Sequence, residues 1–397
     1  MLVITKTDDL ARLMAAYAGA PFVTVDTEFM RERTYWPQLC LIQIARPGEG
    51  PEDAAIVDPL AEGIDLAPLY ELMANPAVVK VFHAARQDVE IFYNLARTIP
   101  MPMFDTQVAA MVCGYGEQVG YETLVRKIAK AELDKSSRFT DWSRRPLSQK
   151  QLDYALGDVT HLRDIYATLS RKLEETGRGH WVAEEMAILT DPGTYFTEPA
   201  EAWRRIKARS HSPKFLAVVR TLAAWREATA QSRDVPRSRL IKDDALLEIA
   251  NARPKTPEDL GKLRLVQREA RRPEVAAEIL SAVAQGEACP ADQRPSLPPP
   301  PRRREGSAAV ADMLRVLLKA RADQLGVASK LIASSADLDA LAGEDDPDVP
   351  ALKGWRLEAF GRDALRVIAG EVGLIVRDGA VEPIEAAQVP ADQLAGQ

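Results

Sequence analysis

The fold is decided by residues 22–29, whose sequence is FVTVDTEF. The apolar, β-branched and aromatic residues of this stretch predict a strand, and the strand period of two places the side chains of Asp26 and Glu28 on one face. Burying two like charges side by side is costly unless a counter-charge lies between them. Two alternatives follow from these residues alone. Either the carboxylates bind a divalent cation such as Mg²⁺ or Mn²⁺, or the strand lies at a sheet edge and its acids face water.

Two further acidic positions favour the first alternative. Asp88 follows an apolar strand predicted over residues 78–83 and falls in the first turn of a helix predicted over residues 86–96. Asp158 lies four residues after Tyr154, which places both side chains on one face of a later helix. Each position also has an ordinary explanation, since an acid stabilises a helix N-terminus and a tyrosine packs at a helix surface. Their order along the chain indicates one shared site.

The pattern around these acids predicts an α/β domain built on one mixed sheet over residues 1–200. Short connections with proline and glycine join the first three strands, which predicts an antiparallel meander. The predicted strands are 22–29, 38–45, 54–58, 78–83 and 104–106. The predicted helices are 8–18, 66–75, 86–96 and most of 121–177.

The remainder of the chain is predicted to be helical in two regions, 201–288 and 307–378, which resemble each other weakly. Residues 289–306 are rich in proline and arginine and are predicted to form a linker. From residue 379 onward few side chains can be buried, so a disordered tail is predicted over 379–397.

Charge is unevenly distributed along the chain. The formal net charge is −7, but residues 1–200 carry −9, residues 201–304 carry +9 with 22 Lys and Arg against 13 Asp and Glu, and the remainder carries −7. A basic segment beside an acidic one is typical of a nucleic-acid-binding module joined to a metal-binding module. The alternative is uneven surface charge without a partner.

Cysteine usage and hydropathy indicate the compartment. Cys40, Cys113 and Cys289 are far apart and form no C-x-x-C pair, which argues against a disulfide framework or a zinc site and favours a reducing cytosol. No secretory signal and no membrane-length apolar run is recognisable, so a cytoplasmic location without membrane attachment is expected.

Three motifs resemble a known superfamily. Residues 25–28, 83–88 and 154–158 are similar to the three exonuclease motifs of the DEDD superfamily in its tyrosine-containing branch, and residues 141–148, DWSRRPLS, resemble the ribonuclease D family in particular. Residues 210–290 resemble the helicase-and-ribonuclease-D C-terminal (HRDC) domain, and 308–370 a more divergent and acidic copy. The resemblance implies a ribonuclease H-like mixed-sheet exonuclease domain followed by two all-α HRDC-like domains.

The resemblance also implies a function. It is that of a divalent-metal-dependent 3′→5′ exoribonuclease, which trims the 3′ ends of tRNA precursors and other small structured RNAs by two-metal-ion hydrolysis and releases nucleoside 5′-monophosphates. The expected partner is RNA with a free 3′ end, with no obligate protein partner. One alternative is a DNA 3′-5′ exonuclease, which the attached helical regions disfavour. The other is a catalytically silent RNA-binding scaffold, which the intact set of acids disfavours.

The same resemblance assigns roles to the acids and the tyrosine. Asp26 would bridge two Mg²⁺ or Mn²⁺ ions, Glu28 and Asp158 would complete one metal site, and Asp88 would lie near the second. Tyr154 would orient the attacking water, because a phenol with a pKa of about 10 is a poor base at neutral pH.

Further candidates are weaker. Asp105 is predicted either to support the metal site or to cap the helix after Thr106. Trp142 is predicted to stack on a base or to lie in the core, and His83 to form hydrogen bonds at a strand end. The candidates for RNA contact are Gln43, His83, Gln87 and Trp142, together with the basic residues Arg204, Arg205, Lys207, Arg209, Lys214, Arg237, Arg239 and Lys242.

Overall fold

A six-stranded mixed sheet forms the centre of the N-terminal half. The computed structural model describes residues 1–50, 52–134, 140–208, 212–297 and 304–386. The strand order is β1-β4-β3-β2-β5-β6. The pairs β2–β3 and β3–β4 are antiparallel. The pairs β1–β4, β2–β5 and β5–β6 are parallel. The predicted mixed sheet and its antiparallel meander are therefore confirmed. The strands are β1 (Leu2–Ile4), β2 (Phe22–Met30), β3 (Gln38–Ala45), β4 (Ala54–Val57), β5 (Val79–Phe82) and β6 (Met103–Asp105).

Helices cover both faces of this sheet. On one face, apolar residues of α1, α2 and α3 pack on the side chains of Val23 and Val25. The other face carries Thr24, Asp26 and Glu28, because successive strand residues point to opposite sides. The long helix α6 lies across it. The helices of this half are α1 (Thr7–Tyr17), α2 (Ala67–Ala74), α3 (Arg86–Ala96), α4 (Thr106–Val112), α5 (Tyr121–Leu124), α6 (Gln149–Thr176) and α7 (Gly179–Leu189).

The start of α6 differs from the prediction of nearly continuous helix over 121–177. After α5 a π turn runs from Val125 to Ala129, and the described residues from 130 to 148 are not helical. The helix begins only at Gln149, where Ser148 and Gln151 form a reciprocal capping box. This cap supplies the partners that the first backbone N–H groups of a helix lack, so it fixes the starting point of the helix.

The first helical region has its own core. Helices α8 and α12 pack closely, and a Cβ atom placed on Gly286 of α12 would lie 2.6 Å from the Cα of Val218. Only glycine allows this approach of the two backbones. The helices are α8 (Pro213–Ser232), α9 (Arg237–Leu240), α10 (Asp243–Ala252), α11 (Pro257–Gly261) and α12 (Pro273–Glu287).

The second helical region shares a hydrophobic core with the N-terminal half. Buried residues of α13 and α15 join those of α4, α6 and α7 in one cluster, and the indole rings of Trp181 and Trp355 stack with centroids 4.3 Å apart. Glu185 accepts a hydrogen bond from the Trp355 indole N–H at 3.1 Å. The helices are α13 (Ser307–Leu325), α14 (Ser329–Ile332), α15 (Ser335–Gly343), α16 (Gly354–Arg356) and α17 (Arg362–Ile368).

The C-terminal segment corrects one prediction. Strands β7 (Val372–Arg377) and β8 (Ala380–Glu385) form an antiparallel hairpin, so residues 380–385 are not disordered. Asp378 and Gly379 form the two-residue turn with φ values of 50° and 80°, and an Asp-Gly pair favours such turns. Residues 387–397 of the predicted tail lie outside the described residues, as do residues 298–303 of the predicted linker. Across the helices of the described ranges, none is long and apolar enough to cross a membrane.

Candidate active site

Strand β2 and helix α6 bring three acids together. Asp26, Glu28 and Asp158 each present one carboxylate oxygen, and these three oxygen atoms lie within 4.8 Å of one another. A β-bulge falls immediately after Glu28, where the pairing of β2 with β3 shifts by one residue. A bulge at this position bends the strand and turns the following side chains, which is a frequent feature beside active sites.

Two side-chain hydroxyl groups hold the turn of α6 that carries Asp158. The Thr24 hydroxyl donates to the backbone carbonyl of Val159 at 2.8 Å, and the Tyr121 hydroxyl donates to that of Gly157 at 2.9 Å. These carbonyl groups flank Asp158 in the chain, so the two bonds fix its position relative to β2. Neither Thr24 nor Tyr121 was identified from the sequence, because no local pattern links residues 24 or 121 to a turn more than thirty residues away.

Asp88 lies beside this group and is more deeply buried. Its side chain is 6% exposed in the first turn of α3 and accepts a hydrogen bond from the Thr27 hydroxyl at 2.5 Å. Asp105 caps α4 by accepting from the Gln107 N–H at 2.7 Å. The Asp105 carboxylate also accepts from the N–H groups of Ala84 and Ala85, which belong to the turn between β5 and α3. Of the two roles predicted for Asp105, the structure shows the capping one, and that cap supports the turn that precedes Asp88.

The electrostatics of the acids favour a cation. Burial raises the pKa of Asp26 well above its usual range, and the neighbouring Asp158 raises it further. Burial and the charge of Asp26 likewise raise the pKa of Asp88. Ionising the whole group is therefore unfavourable without a counter-charge. Three convergent carboxylate oxygens are hard ligands of the kind that Mg²⁺ and Mn²⁺ prefer, so the side chains fit a divalent cation.

A cavity of about 260 Å³ opens beside these acids, with Asp26, Asp158 and Tyr154 in its wall. Tyr154 lies one helical turn before Asp158, and its ring packs beside that of Trp142 at 6.1 Å between centroids. His83 also lines the cavity, and its Nδ1 lies 3.0 Å from the Thr106 hydroxyl. Burial lowers the pKa of His83, which favours the neutral imidazole at neutral pH.

The structure does not support RNA contacts by Gln43 and Trp142. Gln43 is 0% exposed at the centre of the sheet, and Trp142 is 2% exposed in a cluster with Leu41 and Ala155. Of the two roles predicted for Trp142, the core role is the one observed. Gln87 is exposed in the first turn of α3 and His83 faces the cavity, so RNA contact by these two residues stays a prediction.

Arg237 joins the first helical region to the N-terminal half. Its guanidinium group pairs with Glu227 of α8 and lies 4.7 Å from the ring centroid of Tyr35, whose hydroxyl also donates to Glu227. The carboxylate of Asp234 accepts from the backbone N–H groups of Tyr35 and Trp36 at 2.9 Å. We refer to Tyr35, Glu227, Asp234 and Arg237 as the latch. The Arg237 guanidinium is engaged in the latch and 36% of its side chain is exposed, so phosphate contact by Arg237 stays a prediction.

The other basic candidates lie at the surface. Arg204 pairs with the exposed Glu201 and lies over the ring of Trp203. Arg209 falls outside the described residues. The remaining candidates are all exposed: Arg205, Lys207, Lys214, Arg239 and Lys242.

Family models match two parts of the chain. Residues 1–174 match a model described as a 3′-5′ exonuclease, and residues 215–283 match a model of the HRDC domain.

Relatives match nearly the full length. The chain is 56% identical to ribonuclease D of Jannaschia sp. (strain CCS1), over 96% of this chain and 99% of that protein. It is 51% identical to ribonuclease D of Granulibacter bethesdensis, over 94% and 93% of the two chains. Among solved structures, it is similar to Escherichia coli RNase D, described as an exoribonuclease involved in structured RNA processing. That comparison has a TM-score of 0.79 and 30% identity, and covers 93% of this chain and 98% of the other.

Replacing Asp26 tests the electrostatics of the site. Unfolded Asp has a pKa of about 3.9, and the folded pKa of Asp26 is raised, so the folded protein retains a proton that the unfolded chain releases. The unfolding free energy therefore falls as pH rises above the unfolded value. We predict that Asp26→Asn, assayed without divalent metal, is more stable than wild type at about pH 8 and that this advantage shrinks toward about pH 4. Chemical denaturation across pH measures it.

Asp53→Asn serves as the control of opposite sign. The hydrogen bond from Arg46 lowers the pKa of Asp53. Replacing the Asp53 carboxylate therefore lowers the unfolding free energy at neutral pH and has less effect in acid. The same Asp26→Asn protein should have nearly lost nuclease activity. An Asp26→Asn variant that is less stable than wild type at about pH 8, or that keeps substantial activity with saturating Mg²⁺, contradicts the site assignment.

Proposed function

Since the chain belongs to the ribonuclease D family of 3′-5′ exoribonucleases, we propose that it trims the 3′ ends of small structured RNAs, above all tRNA precursors, by metal-dependent hydrolysis. One observation carries the proposal. One carboxylate oxygen from each of Asp26, Glu28 and Asp158 lies within 4.8 Å of the other two, beside a cavity that Asp26, Tyr154 and Asp158 line. The Escherichia coli relative, which is described as acting in structured RNA processing, supports the choice of substrate.

The proposed cofactor is a pair of Mg²⁺ or Mn²⁺ ions, which would activate the attacking water and stabilise the departing 3′ oxygen. Asp26 would hold both ions, since one of its carboxylate oxygens lies within 4.8 Å of those of Glu28 and Asp158 and its charge also raises the pKa of the nearby Asp88. Four carboxylates would offset the four positive charges of such a pair. Attack at phosphorus with loss of the 3′ oxygen leaves the phosphate on the released nucleotide, so the products would be nucleoside 5′-monophosphates.

The hydroxyl of Tyr154 would orient the attacking water. Its ring is held by Trp142, which is buried and lies 6.1 Å away between centroids, so the position of the hydroxyl is constrained. Orientation lowers the barrier because the reacting atoms need not find their geometry at each turnover.

Capture of RNA would depend on the first helical region. Residues 201–304, which comprise this region and most of the linker, carry a net charge of +9, against −9 for residues 1–200. A cavity of about 600 Å³ lies on this region, and Arg233, Arg239 and Arg272 line it. Basic side chains position a nucleic acid through its phosphates without reading the sequence of bases. We propose that this surface holds the body of the RNA while its 3′ end enters the acidic site.

The domain division that fits this proposal has four parts. They are an exonuclease domain over 1–200, an HRDC domain over 201–288, a linker over 289–306, and a second HRDC-like domain that starts at 307 and includes the hairpin after residue 370. The three cysteines are free and buried, which is consistent with the proposed cytoplasmic location.

Degradation assays test the proposal directly. The full chain is incubated with a 3′-extended tRNA and with single-stranded DNA of the same sequence, in Mg²⁺, in Mn²⁺ and in chelator. We expect stepwise shortening of the RNA from its 3′ end, release of nucleoside 5′-monophosphates, and no reaction in chelator. Equal degradation of the DNA favours the DNA exonuclease alternative. Binding of the RNA without shortening under any metal condition favours the silent scaffold.

Removing one hydroxyl tests the role of Tyr154. We predict that Tyr154→Phe lowers kcat by about 10²–10⁴-fold and leaves RNA affinity and metal affinity unchanged, since the ring keeps its packing. Tyr166→Phe, the same change twelve residues further along α6, is the control. The ring of Tyr166 packs on Phe22 and Phe104, so this variant should keep wild-type kcat. Normal kcat in Tyr154→Phe, or a defect that more metal cures, contradicts water orientation.

Salt dependence tests the basic surface. We predict that Arg239→Ala with Lys242→Ala weakens binding of tRNA-sized RNA, and that the slope of log K against log salt becomes shallower by about 0.7–0.9 for each lost phosphate contact. The control pair is Lys6→Ala with Arg12→Ala, at the N-terminus and on the surface of α1, on the sheet face opposite α6. Unchanged affinity and slope in the first pair, or equal losses in both pairs, contradicts the assignment of this surface.

A further inference from the structure

Gln43 lies directly opposite Asp26 in the sheet. The two residues are partners in the antiparallel pairing of β2 with β3, so their side chains project from the same face, with Cβ atoms about 4.5–5.5 Å apart. Leu41 and Ala45, two residues before and after Gln43, pack against Ala155 and Val159 of α6 respectively. The side chain of Gln43 therefore lies between the sheet and the turn of α6 that carries Asp158.

The amide of Gln43 is buried and unpaired. Gln43 is 0% exposed, and within the described part of the chain neither its Nε2 nor its Oε1 has a hydrogen-bond partner. Most buried side-chain polar atoms in proteins have at least one partner, and leaving one unpaired destabilises the fold. An apolar side chain of similar length would fill the same space without this penalty. A glutamine at this place therefore indicates a partner that the amide gains when the site is in use.

The chemistry of an amide suits a place beside clustered acids. A lysine or arginine opposite Asp26 would neutralise the carboxylates and compete with a cation for them. A glutamate would add a further negative charge to groups that already repel one another. A glutamine donates a hydrogen bond to a carboxylate and leaves the net charge of the site unchanged. Side chains that hydrogen-bond metal-ligating carboxylates in this way fix the orientation of the ligand.

We propose that Gln43 is a positioning residue for the cation site. When a divalent cation occupies the site, the Gln43 side-chain N–H group donates to the Asp26 carboxylate and holds it in the orientation in which Asp26, Glu28 and Asp158 share that cation. The inference rests on the proposed metal-dependent function. It replaces the RNA contact predicted for Gln43, which its burial excludes.

Metal binding and stability, measured separately, test this role. The variant is Gln43→Met, which keeps the length and approximate volume of the side chain and removes both amide groups. We expect the metal-free variant to be as thermally stable as wild type or more so, because the unpaired amide is gone. We expect its dissociation constant for Mn²⁺, measured by calorimetry on the full chain without RNA, to rise by about 10–100-fold. Gln43→Leu repeats the measurement in case the methionine variant does not fold.

Asn94 provides the matched control. It lies on α3, its amide atoms are likewise buried without partners among the described residues, and it is not among the residues that line the cavity beside Asp26. Asn94→Leu should change thermal stability and leave the Mn²⁺ affinity at the wild-type value.

Each outcome bears on the proposal. A Gln43→Met variant that binds Mn²⁺ as tightly as wild type overturns the positioning role and indicates that an ordered water pairs with the amide. Equal losses of Mn²⁺ affinity in the Gln43 and Asn94 variants indicate a general packing effect and also overturn it. A wild-type chain that binds no divalent metal overturns the proposed metal-dependent function, and the role of Gln43 with it.

Discussion

Mutual repulsion among carboxylates is the constraint on which the rest of this structure depends. Asp26, Glu28 and Asp158 hold their oxygens within 4.8 Å of one another, and the pKa of Asp26 is raised by burial and by Asp158. Packing of Ala155 and Val159 on the sheet brings α6 over β2. Hydrogen bonds from the Thr24 and Tyr121 hydroxyl groups then hold the turn of α6 that carries Asp158. The fold thus holds carboxylates that repel one another when ionised, and a divalent cation bound among them would offset this repulsion.

The two helical regions are attached to this centre in different ways. The first is joined through the latch, in which a polar network binds α8 to the loop that follows β2, the strand of Asp26 and Glu28. The second is joined through a shared apolar core and the stacked rings of Trp181 and Trp355. The latch fixes the position of the first helical region relative to the acidic site. The shared apolar core makes the second helical region part of the packing around α4, α6 and α7. Studying the catalytic half alone would expose this second surface.

Features that depend on short-range periodicity, namely the strands and the face on which each side chain lies, were predicted from the sequence. The period of two placed Asp26 and Glu28 on one face, and the strands of the meander were located to within a residue or two. Contacts between distant segments were not predictable, because no local pattern encodes them. The Tyr121 hydroxyl donates a hydrogen bond to the Gly157 carbonyl, and the Arg237 guanidinium pairs with Glu227 and lies over the Tyr35 ring. The hairpin at the C-terminus was missed although its Asp-Gly turn was visible, since the composition of the tail outweighed that pair.

Anomalous scattering from a crystal of the full chain soaked in Mn²⁺ tests the central claim most directly. A cation that relieves the repulsion must lie where the carboxylates converge. The account predicts a strong anomalous peak bounded by the carboxylates of Asp26, Glu28 and Asp158, and loss of that peak in crystals of Asp26→Asn. A Mn²⁺-soaked crystal with no peak among these three side chains, or with its strongest peak elsewhere in the molecule, would contradict it.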